Sequence, residues 1–475
     1  MNTNIEILKQ RENYQDKAAP RLKDTNSDEI CALLGLLILS GALKNNHLST
    51  DLLFNESYTG TRYLATMSKD RFEFLINCLR FDNRDTRDPN DPLSPVRKIW
   101  DEFVANCTKH YKPGSYVTID EQLIGFRGRC KFRMYIPSKP GSYGIKVVMM
   151  CDAACSYMIS AIPYVGKGTV PNGVPAGEFF IESLVSSIKG SNRNVTMDNW
   201  FTSVPLVEKL KEYNLTVIGT VKKNKAELPL EFVDVKFASR KSGTSMFLFD
   251  DSMTAVSYKP KDNKLVCLLS SAHDTASVHE TNQKPDIVLN YNQTKAGVDT
   301  LDQMCHGTNV IRKTKRWPLC FFYNMINITM LNAYVIYMHN FYRKNADGKP
   351  MSRANFMLNL YERLAYRWLE HRYALPNQHR NIREKIRLLL ESIRPTIPRH
   401  GRRSSLPQGV PAPQNPAQPT DRAQSASSLA KRGYCQECDY KLRRKSSKCC
   451  TKCFKVLCGE HQVIVCSDCT KNVET

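Results

Sequence analysis

Residues 116–130 read YVTIDEQLIGFRGRC, and residues 193–206 read RNVTMDNWFTSVPL. Each stretch has the composition of a β-strand, and each places an aspartate, Asp120 or Asp198, at or near the end of that strand. Two neighbouring strands of one sheet can present such ends side by side. The pair therefore indicates a sheet that carries two carboxylates close together.

A third aspartate, Asp299, lies in residues 292–305, NQTKAGVDTLDQMC. We expect a strand before it and a helix that begins near Ala296. Carboxylates that hold two divalent cations about 3.5–4 Å apart are suited to phosphoryl transfer, and Mg²⁺ prefers oxygen ligands. A lone aspartate in a loop is more often a turn or a cap, so this hypothesis depends on the three occurring together.

The order of predicted elements indicates a mixed α/β fold. Further strands are predicted at 144–152, 157–166 and 215–221, and a helix at 175–190 begins with proline and ends with glycine. Alternation of strands and helices is typical of such a sheet. Short, charged strands with no evident helix fill 223–285, which we interpret as a β-rich insertion.

Helical segments flank this sheet in the sequence. Asn26 followed by Glu29 is typical of a helix N-cap with a returning glutamate, and apolar residues recur at helical intervals in 1–115 and again in 309–390. We expect these two regions to pack as one domain. Residues 393–432 are rich in Pro, Ser, Gln and Ala, which predicts a disordered linker.

The composition favours a polyanionic partner. The chain has 475 residues and a formal net charge of +22, and basic residues release counterions from a nucleic-acid backbone. A solvated basic surface is the alternative. The longest apolar candidate, residues 30–43, is too short to span a bilayer, and the N-terminus lacks the apolar core of a signal peptide. We expect an intracellular, soluble protein with no membrane partner.

A second metal-binding pattern lies near the C-terminus. Four ligand pairs, each with two residues between its members, can form two closed tetrahedral Zn²⁺ sites of structural type. The ligands are Cys435, Cys438, Cys450, Cys453, Cys458, His461, Cys466 and Cys469. Interleaved binding would join the first pair to the third and the second to the fourth. Another pairing stays open, as does the choice between Cys449 and Cys450.

The motifs resemble those of the piggyBac-like transposases, which cut and paste DNA with an RNase H-like catalytic core. The blocks IDEQLIGFRGRCKFRMYIPSKPGSYGIKVVMMCD, DNWFTSVPL and YNQTKAGVDTLDQM occur in that family's order. The resemblance implies that Asp120, Asp198 and Asp299 form a catalytic triad that binds two Mg²⁺, or Mn²⁺ in its place. It also matches Asp302 to a further acidic residue important in the family.

The resemblance further implies a domain organisation. It assigns 116–222 with 286–308 to the RNase H-like core, 223–285 to the insertion, 1–115 with 309–390 to a helical dimerisation and DNA-binding domain, and 433–472 to a cross-braced zinc domain. The family carries a long acidic N-terminal region, whereas about 25 residues precede the first predicted apolar helix here.

Basic residues beside the motifs are candidate DNA contacts. Phosphate binding or a solvated hairpin explains Arg127, Arg129, Lys131 and Arg133. The run RKTKRW contributes Arg312, Lys313, Lys315, Arg316 and Trp317, whose indole either stacks on an unpaired base or packs in the core. Between the cysteine pairs, phosphate contacts or a nuclear import signal explain Arg443, Arg444 and Lys445.

The function that the resemblance implies is transposition by a nuclear homodimer. One strand would be nicked at each terminal inverted repeat, and the freed 3′-hydroxyl would attack the opposite strand to form a hairpin. The hairpin would then be opened and joined at a TTAA target. A domesticated DNA- or chromatin-binding protein that no longer cuts is the alternative, although it would not need the intact acidic residues. An unrelated metal nuclease or RING-type ligase explains only part of the chain.

Overall fold

The chain divides into two units, Met1–Arg399 and His400–Thr475, in a computed structural model. In the first unit the structure describes residues 2–137, 139, 141–237, 240–345 and 348–393. In the second it describes the backbone of two strands, Ser428–Tyr434 and Lys445–Lys448.

A mixed sheet forms the centre of the first unit, and within its described residues this sheet has nine strands. The strands are β1 (Tyr116–Gly125), β2 (Met134–Tyr135), β3 (Tyr143–Asp152), β4 (Met158–Pro163), β5 (Asn194–Met197), β6 (Thr216–Thr220), β7 (Ser245–Phe249), β8 (Thr254–Lys261) and β9 (Lys264–Ser270). Their order is β2-β3-β1-β5-β6-β9-β8-β7, with β4 also beside β3. The predicted mixed α/β sheet is confirmed.

Helices cover and extend this sheet. They are α1 (Asn2–Arg11), α2 (Ser27–Ala42), α3 (Thr50–Leu53), α4 (Glu56–Thr59), α5 (Arg62–Thr66), α6 (Lys69–Cys78), α7 (Arg97–His110), α8 (Ala176–Val185), α9 (Val204–Glu212), α10 (Leu230–Val233), α11 (Asp286–Thr294), α12 (Gly297–Gly307), α13 (Trp317–Lys344), α14 (Arg353–Ala374) and α15 (Arg380–Ile393). The predicted helix that starts after a proline near residue 175 is α8.

The centre of the sheet is antiparallel on one side of β1 and parallel on the other. β1 pairs antiparallel with β3 and parallel with β5, and β5 pairs parallel with β6. All residues of β3 except its first are buried, as expected for a strand covered on both faces. β1 and β5 therefore lie in the middle of the sheet, with β1 between β3 and β5.

The strands of residues 223–285 continue the central sheet. β9 pairs antiparallel with β6, so that Gly219 lies opposite Leu269, and β8 and β7 follow in turn. The sequence did not predict this pairing, because the pattern of a strand does not identify the strand it pairs with. The four-residue helix α10 also lies in this segment, where no helix was expected.

Two further elements differ from the sequence expectations. Residues 286–294 form helix α11 and not a strand, with Ile287 and Val288 buried at its start. A short apolar run such as DIVL has no periodicity that separates a strand from a helix. The polar N-terminal segment contains α1, in which Ile7 is fully buried.

The two helical regions pack through a close contact between α2 and α14. A Cβ atom on Gly35 would lie 3.3 Å from both the ring and the carbonyl oxygen of Tyr361, so the glycine permits this approach. The buried Tyr361 hydroxyl lies 2.9 Å from the Thr66 hydroxyl of α5. Side chains of residues 7–79 and of residues 310–393 thus share one apolar core.

Helix α13 is long and apolar enough, by length and composition, to cross a membrane, which the sequence reading had not recognised. Within the protein, 61% of its most apolar window is buried. Phe321, Ile328 and Leu331 are among the residues that it contributes to the core shared with the sheet. Burial in this core accounts for its apolar character, and a single such helix is weak evidence for a membrane span.

In the second unit, the described strands β10 (Ser428–Tyr434) and β11 (Lys445–Lys448) pair antiparallel, with Tyr434 opposite Lys445. β10 begins inside the segment predicted to be linker. All eight predicted zinc ligands, from Cys435 to Cys469, lie outside the described residues, as do Arg443 and Arg444. For Lys445 the structure describes the backbone alone.

A buried ion pair fixes the N-terminus of α2. The Asn26 side chain caps the helix by accepting from the Glu29 amide at 2.9 Å, as predicted. The Glu29 carboxylate pairs with Arg71 through two hydrogen bonds of 2.8 and 2.6 Å, so it does not act as the expected returning glutamate. Arg71 also donates to the carbonyls of Arg21 and Lys23.

We predict that Arg71→Ala lowers the free energy of unfolding by about 3–5 kcal/mol, because it leaves the Glu29 charge buried without its partner. Urea unfolding of the full chain measures this. Arg387→Ala removes an exposed pair with Glu384 on α15 and should leave the unfolding midpoint unchanged. Equal effects of the two substitutions would contradict this role for Arg71.

Candidate active site and nucleic-acid interface

The register between β1 and β5 places two of the predicted aspartates side by side. Thr118 lies opposite Thr196 in the parallel pair, and Asp120 and Asp198 each follow two residues later. Because side chains alternate along a strand, Asp120 shares a face of β1 with Thr118. Asp198 directly follows β5, as predicted, whereas β1 continues to Gly125 and Asp120 lies inside it.

The same two threonines hold the element that carries the third aspartate. Thr118 Oγ1 donates to the carbonyl of Thr294 at 2.5 Å, and the Thr196 and Thr294 hydroxyls lie 2.8 Å apart. A Cβ on Gly297 would lie 2.6 Å from Thr118 Oγ1, so only glycine lets α12 begin this close to β1. Asp299 lies in the first turn of α12.

Asp302 is tied to β1 one turn further along α12. Gln122 Nε2 donates to Asp302 Oδ1 at 2.8 Å, and Gln122 Oε1 accepts from Asn324 of α13 at 2.7 Å. Gln122 is 1% exposed, so both contacts are sheltered from water. Thr118, Asp120 and Gln122 thus line one face of β1 and connect the sheet to α12 and α13.

The electrostatic state of Asp120 reflects its enclosure. Burial raises its pKa to about 7, and the neighbouring carboxylates of Glu121 and Asp198 add to the rise. Two opposing contributions, the Glu121 amide and Lys139, lower it by less. Asp120 is therefore a carboxyl whose negative charge is incompletely compensated by the protein.

Lys139 reaches this cluster from the connection between β2 and β3. Its Nζ donates to the Glu121 carbonyl at 3.2 Å and lies 3.6 Å from Asp299 Oδ1. Burial alone would lower the Lys139 pKa, but the carboxyls of Asp120, Glu121, Asp299 and Asp302 outweigh it and raise the pKa. Lys139 is a charged member of the site.

Sequence reasoning did not identify Lys139, Gln122, Thr118 or Thr196 as site residues. The repeated V-T-x-D in VTID and VTMD carried a signal for the threonines, since both lie two residues before an aspartate. The sequence around Lys139 carries no motif that predicts a site residue, because its contact with Asp299 forms only in the folded chain. Lys146 was also missed; its Nζ lies 3.6 Å from Glu121 and 4.1 Å from the Trp200 ring centroid.

The donor atoms of the cluster suit a hard divalent cation. Asp120, Asp198 and Asp299 offer carboxylate oxygens, which Mg²⁺ prefers, and the uncompensated charge at Asp120 is what a cation would relieve. Among the residues that the structure describes, no group of three or more Asp, Glu, His or Cys side chains is arranged closely enough to hold a metal ion. The donor chemistry fits, and the side chains would have to draw together around the ion.

The two predicted basic segments meet at one cleft. A cavity of about 940 Å³ is lined by Arg127, Gly128, Arg129, Cys130, Lys131, Arg133, Lys313, Thr314 and Lys315. A Cβ on Gly128 would lie 2.8 Å from the Lys315 carbonyl oxygen, so this glycine allows the two segments to touch. The structure thereby brings together cations that are almost 200 residues apart in the sequence.

The two arginines of the RKTKRW run have different surroundings from its two lysines. Arg312 donates to the carbonyls of Asn46 and Leu48, and Arg316 donates to three carbonyls at the end of α6 and just beyond it. Burial lowers the pKa of Arg316 to about 10, with Arg80 adding to the effect. These two arginines hold the protein together, whereas Lys313 and Lys315 line the cleft.

Trp317 occupies the start of α13 and packs against the protein. Its ring meets Phe132 edge-on at a centroid distance of 5.0 Å, and it contacts the core of the sheet as a partly buried side chain. This arrangement favours the packing role over base stacking for Trp317. Phe132 and Trp317 together brace the basic segment 127–133.

We predict that Asp120→Asn stabilises the protein at pH 8 and not at pH 4 when no divalent ion is added. A folded-state pKa of about 7 exceeds the unfolded value of about 3.9. The folded protein prefers Asp120 protonated. The unmodified protein therefore has its full stability below about pH 4 and loses this contribution as the pH rises through about 7. The gain at pH 8 should be on the order of 1–4 kcal/mol.

Urea unfolding across this pH range measures the difference. Asp251→Asn, at an exposed position between β7 and β8, should give the pH profile of the unmodified protein. A gain for Asp120→Asn that is constant from pH 4 to pH 8 would show that the carboxyl does not titrate in this window.

Comparison with known proteins adds the following findings. The sequence model of the Transposase IS4 family matches residues 5–334. A cryo-EM structure of a piggyBac transposase synaptic complex with hairpin DNA is 45% identical in sequence, with a TM-score of 0.77 over 98% of this chain and 93% of that chain.

Two human proteins are more distant relatives. PiggyBac transposable element-derived protein 3 of Homo sapiens is 28% identical over 358 residues, which cover 70% of this chain and 57% of that protein. PiggyBac transposable element-derived protein 2 of Homo sapiens is 22% identical over 333 residues, 66% of this chain and 55% of that protein. The chain thus spans little more than half the length of these curated relatives.

Proposed function

Because the chain belongs to the Transposase IS4 family, as a member of its piggyBac type, we propose that it is a DNA transposase whose phosphoryl transfers occur at Asp120, Asp198 and Asp299. The observation that carries the proposal is the parallel register of β1 and β5, which pairs Ile119 with Met197, the residues directly before Asp120 and Asp198. The contact of α12 with Thr118 then adds Asp299.

The order of the central strands supports an RNase H-like core. β3 pairs antiparallel with both β4 and β1, and β5 and β6 follow β1 in parallel, which is the arrangement of that fold. In the proposed core, the two sheet-borne carboxylates lie at the junction between the antiparallel and parallel parts. Strands β7 to β9 would extend this sheet as the insertion.

Asp120, Asp198 and Asp299 would hold divalent cations, Mg²⁺ or Mn²⁺. When bound, these ions activate the attacking oxygen and stabilise the leaving one. Asp302, fixed by Gln122, would keep the first turns of α12 in place while Asp299 adjusts. The chemistry would proceed by hydrolysis of one strand and attack of the freed 3′-hydroxyl on the opposite strand to close a hairpin. Water would then open the hairpin, and the regenerated 3′-hydroxyl would join a TTAA target.

The basic cleft would hold the DNA backbone. Arg127, Arg129, Lys131, Arg133, Lys313 and Lys315 line it, and phosphate contacts of this kind position DNA without reading its sequence. The high net charge of +22 supports the same partner. Recognition of terminal inverted repeats by the zinc-bound cysteine-rich segment, assembly as a homodimer and nuclear location belong to the same proposal.

We predict that the full chain cleaves a DNA substrate bearing its cognate ends in a Mg²⁺-dependent manner, and that Asp198→Ala reduces cleavage below detection. DNA affinity should be retained, because Asp198 is not in the basic cleft. Gel assays of cleavage and fluorescence anisotropy of binding measure the two. Asp251→Ala should cleave normally. If the unmodified chain binds DNA but does not cleave it, the result would favour the alternative, a domesticated DNA- or chromatin-binding protein that no longer cuts.

We predict that replacing Arg129 and Lys313 together with alanine weakens DNA binding at every sequence and makes the salt dependence less steep. Each lost phosphate contact should reduce the slope of log K against log salt by about 0.9. Lys98→Ala, at an exposed position on α7, is the matched control and should keep the full slope. An unchanged slope in the double variant would show that these residues of the cleft do not contact DNA phosphates.

A further inference from the structure

One ammonium lies between the two elements that carry the acidic residues. Lys139 Nζ is 3.6 Å from Asp299 Oδ1 on α12, and it is 3.2 Å from the Glu121 carbonyl oxygen and 3.9 Å from Glu121 Oε1 on β1. The Lys139 side chain is 22% exposed, whereas that of Asp299 is 66% exposed. The lysine is held more firmly than the carboxylate it meets.

The surroundings of Glu121 make this arrangement asymmetric. Lys146 lies 3.6 Å from Glu121 Oε2 and also over the Trp200 ring, so Glu121 has a second cationic neighbour. Asp299 projects from the first turn of α12, where Lys139 approaches it. Loss of Lys139 would therefore change the charge balance at Asp299 more than at Glu121.

We propose that Lys139 is a positioning residue that takes the place of a divalent cation beside Asp299 in the metal-free protein and withdraws to Glu121 when the metal binds. This inference rests on the proposed metal site at Asp120, Asp198 and Asp299. Lys139 would then compete with the divalent ion for the carboxylate of Asp299.

Charge and geometry support an exchange of this kind. Without a cation, carboxylates at close range repel each other, and the Lys139 ammonium offsets that repulsion for Asp299. A divalent ion bound to the same oxygen would be repelled by the ammonium, so binding requires Lys139 to move away. The Glu121 carbonyl and carboxylate give it a place to remain within the site.

Direct measurement of metal binding tests the inference without relying on activity. Mn²⁺ binding to the full chain, purified with Zn²⁺, is measured by electron paramagnetic resonance without DNA. The Mn²⁺ sites that Asp299→Asn removes are assigned to the cluster. Lys139→Met and Lys139→Gln remove the ammonium, Lys139→Arg keeps a cation, and Lys98→Met is the matched control. Thermal unfolding confirms that each variant is folded.

We expect Lys139→Met and Lys139→Gln to bind Mn²⁺ at these sites up to about five-fold more tightly, the upper end of the range for loss of a partly exposed ion pair. Lys139→Arg and Lys98→Met should bind as the unmodified chain does. In the Asp299→Asn background, Lys139→Met should have no further effect.

Two outcomes overturn the proposal in different ways. Equal or weaker Mn²⁺ binding by both neutral variants would show that Lys139 does not compete with the metal. If Asp299→Asn removes no Mn²⁺ binding, the proposed metal site itself fails, and the inference falls with it. The two failures are distinguishable because the Asp299→Asn measurement does not involve Lys139.

Discussion

The candidate site depends on the contact of Thr294 with two strands. Thr118 of β1 and Thr196 of β5, which are paired in register, both bind Thr294 at the end of α11. The chain then turns into α12 at Gly297, where a side chain would collide with Thr118. This contact, together with the hydrogen bond from Gln122 to Asp302, holds α12 on β1 and so keeps its aspartates at the sheet.

Charge is distributed so that structural and ligand-facing cations are separated. Arg71, Arg312 and Arg316 are directed into the protein and satisfied by a carboxylate or by main-chain carbonyls. Guanidinium groups suit this role because several donors can be satisfied at once. Other cations, arginines such as Arg129 as well as lysines such as Lys313, instead line the cleft. Net charge alone therefore overstates the basic surface that is available to a polyanion.

Local patterns were sufficient for some elements and not for others. β1 and β5 could be predicted because their strand composition and their V-T-x-D motifs are local properties. In the structure the pairing of β1 with β5 ends at Ile119 and Met197, directly before Asp120 and Asp198. The helical form of 286–294 and the pairing of β9 with β6 depend on tertiary contacts, such as the burial of Ile287 and Val288. Such contacts leave no periodic trace in a short segment.

The carboxylates of the site differ in how firmly they are held. Asp120 is fixed by a strand with hydrogen-bonded neighbours on both sides, and its enclosure makes its charge costly. Asp299 is largely exposed and lies on the first turn of a helix that Gln122 ties down through Asp302. The sheet therefore sets one side of the site during folding. The other side is completed by the placement of α12 and by the Lys139 ammonium that Asp299 meets.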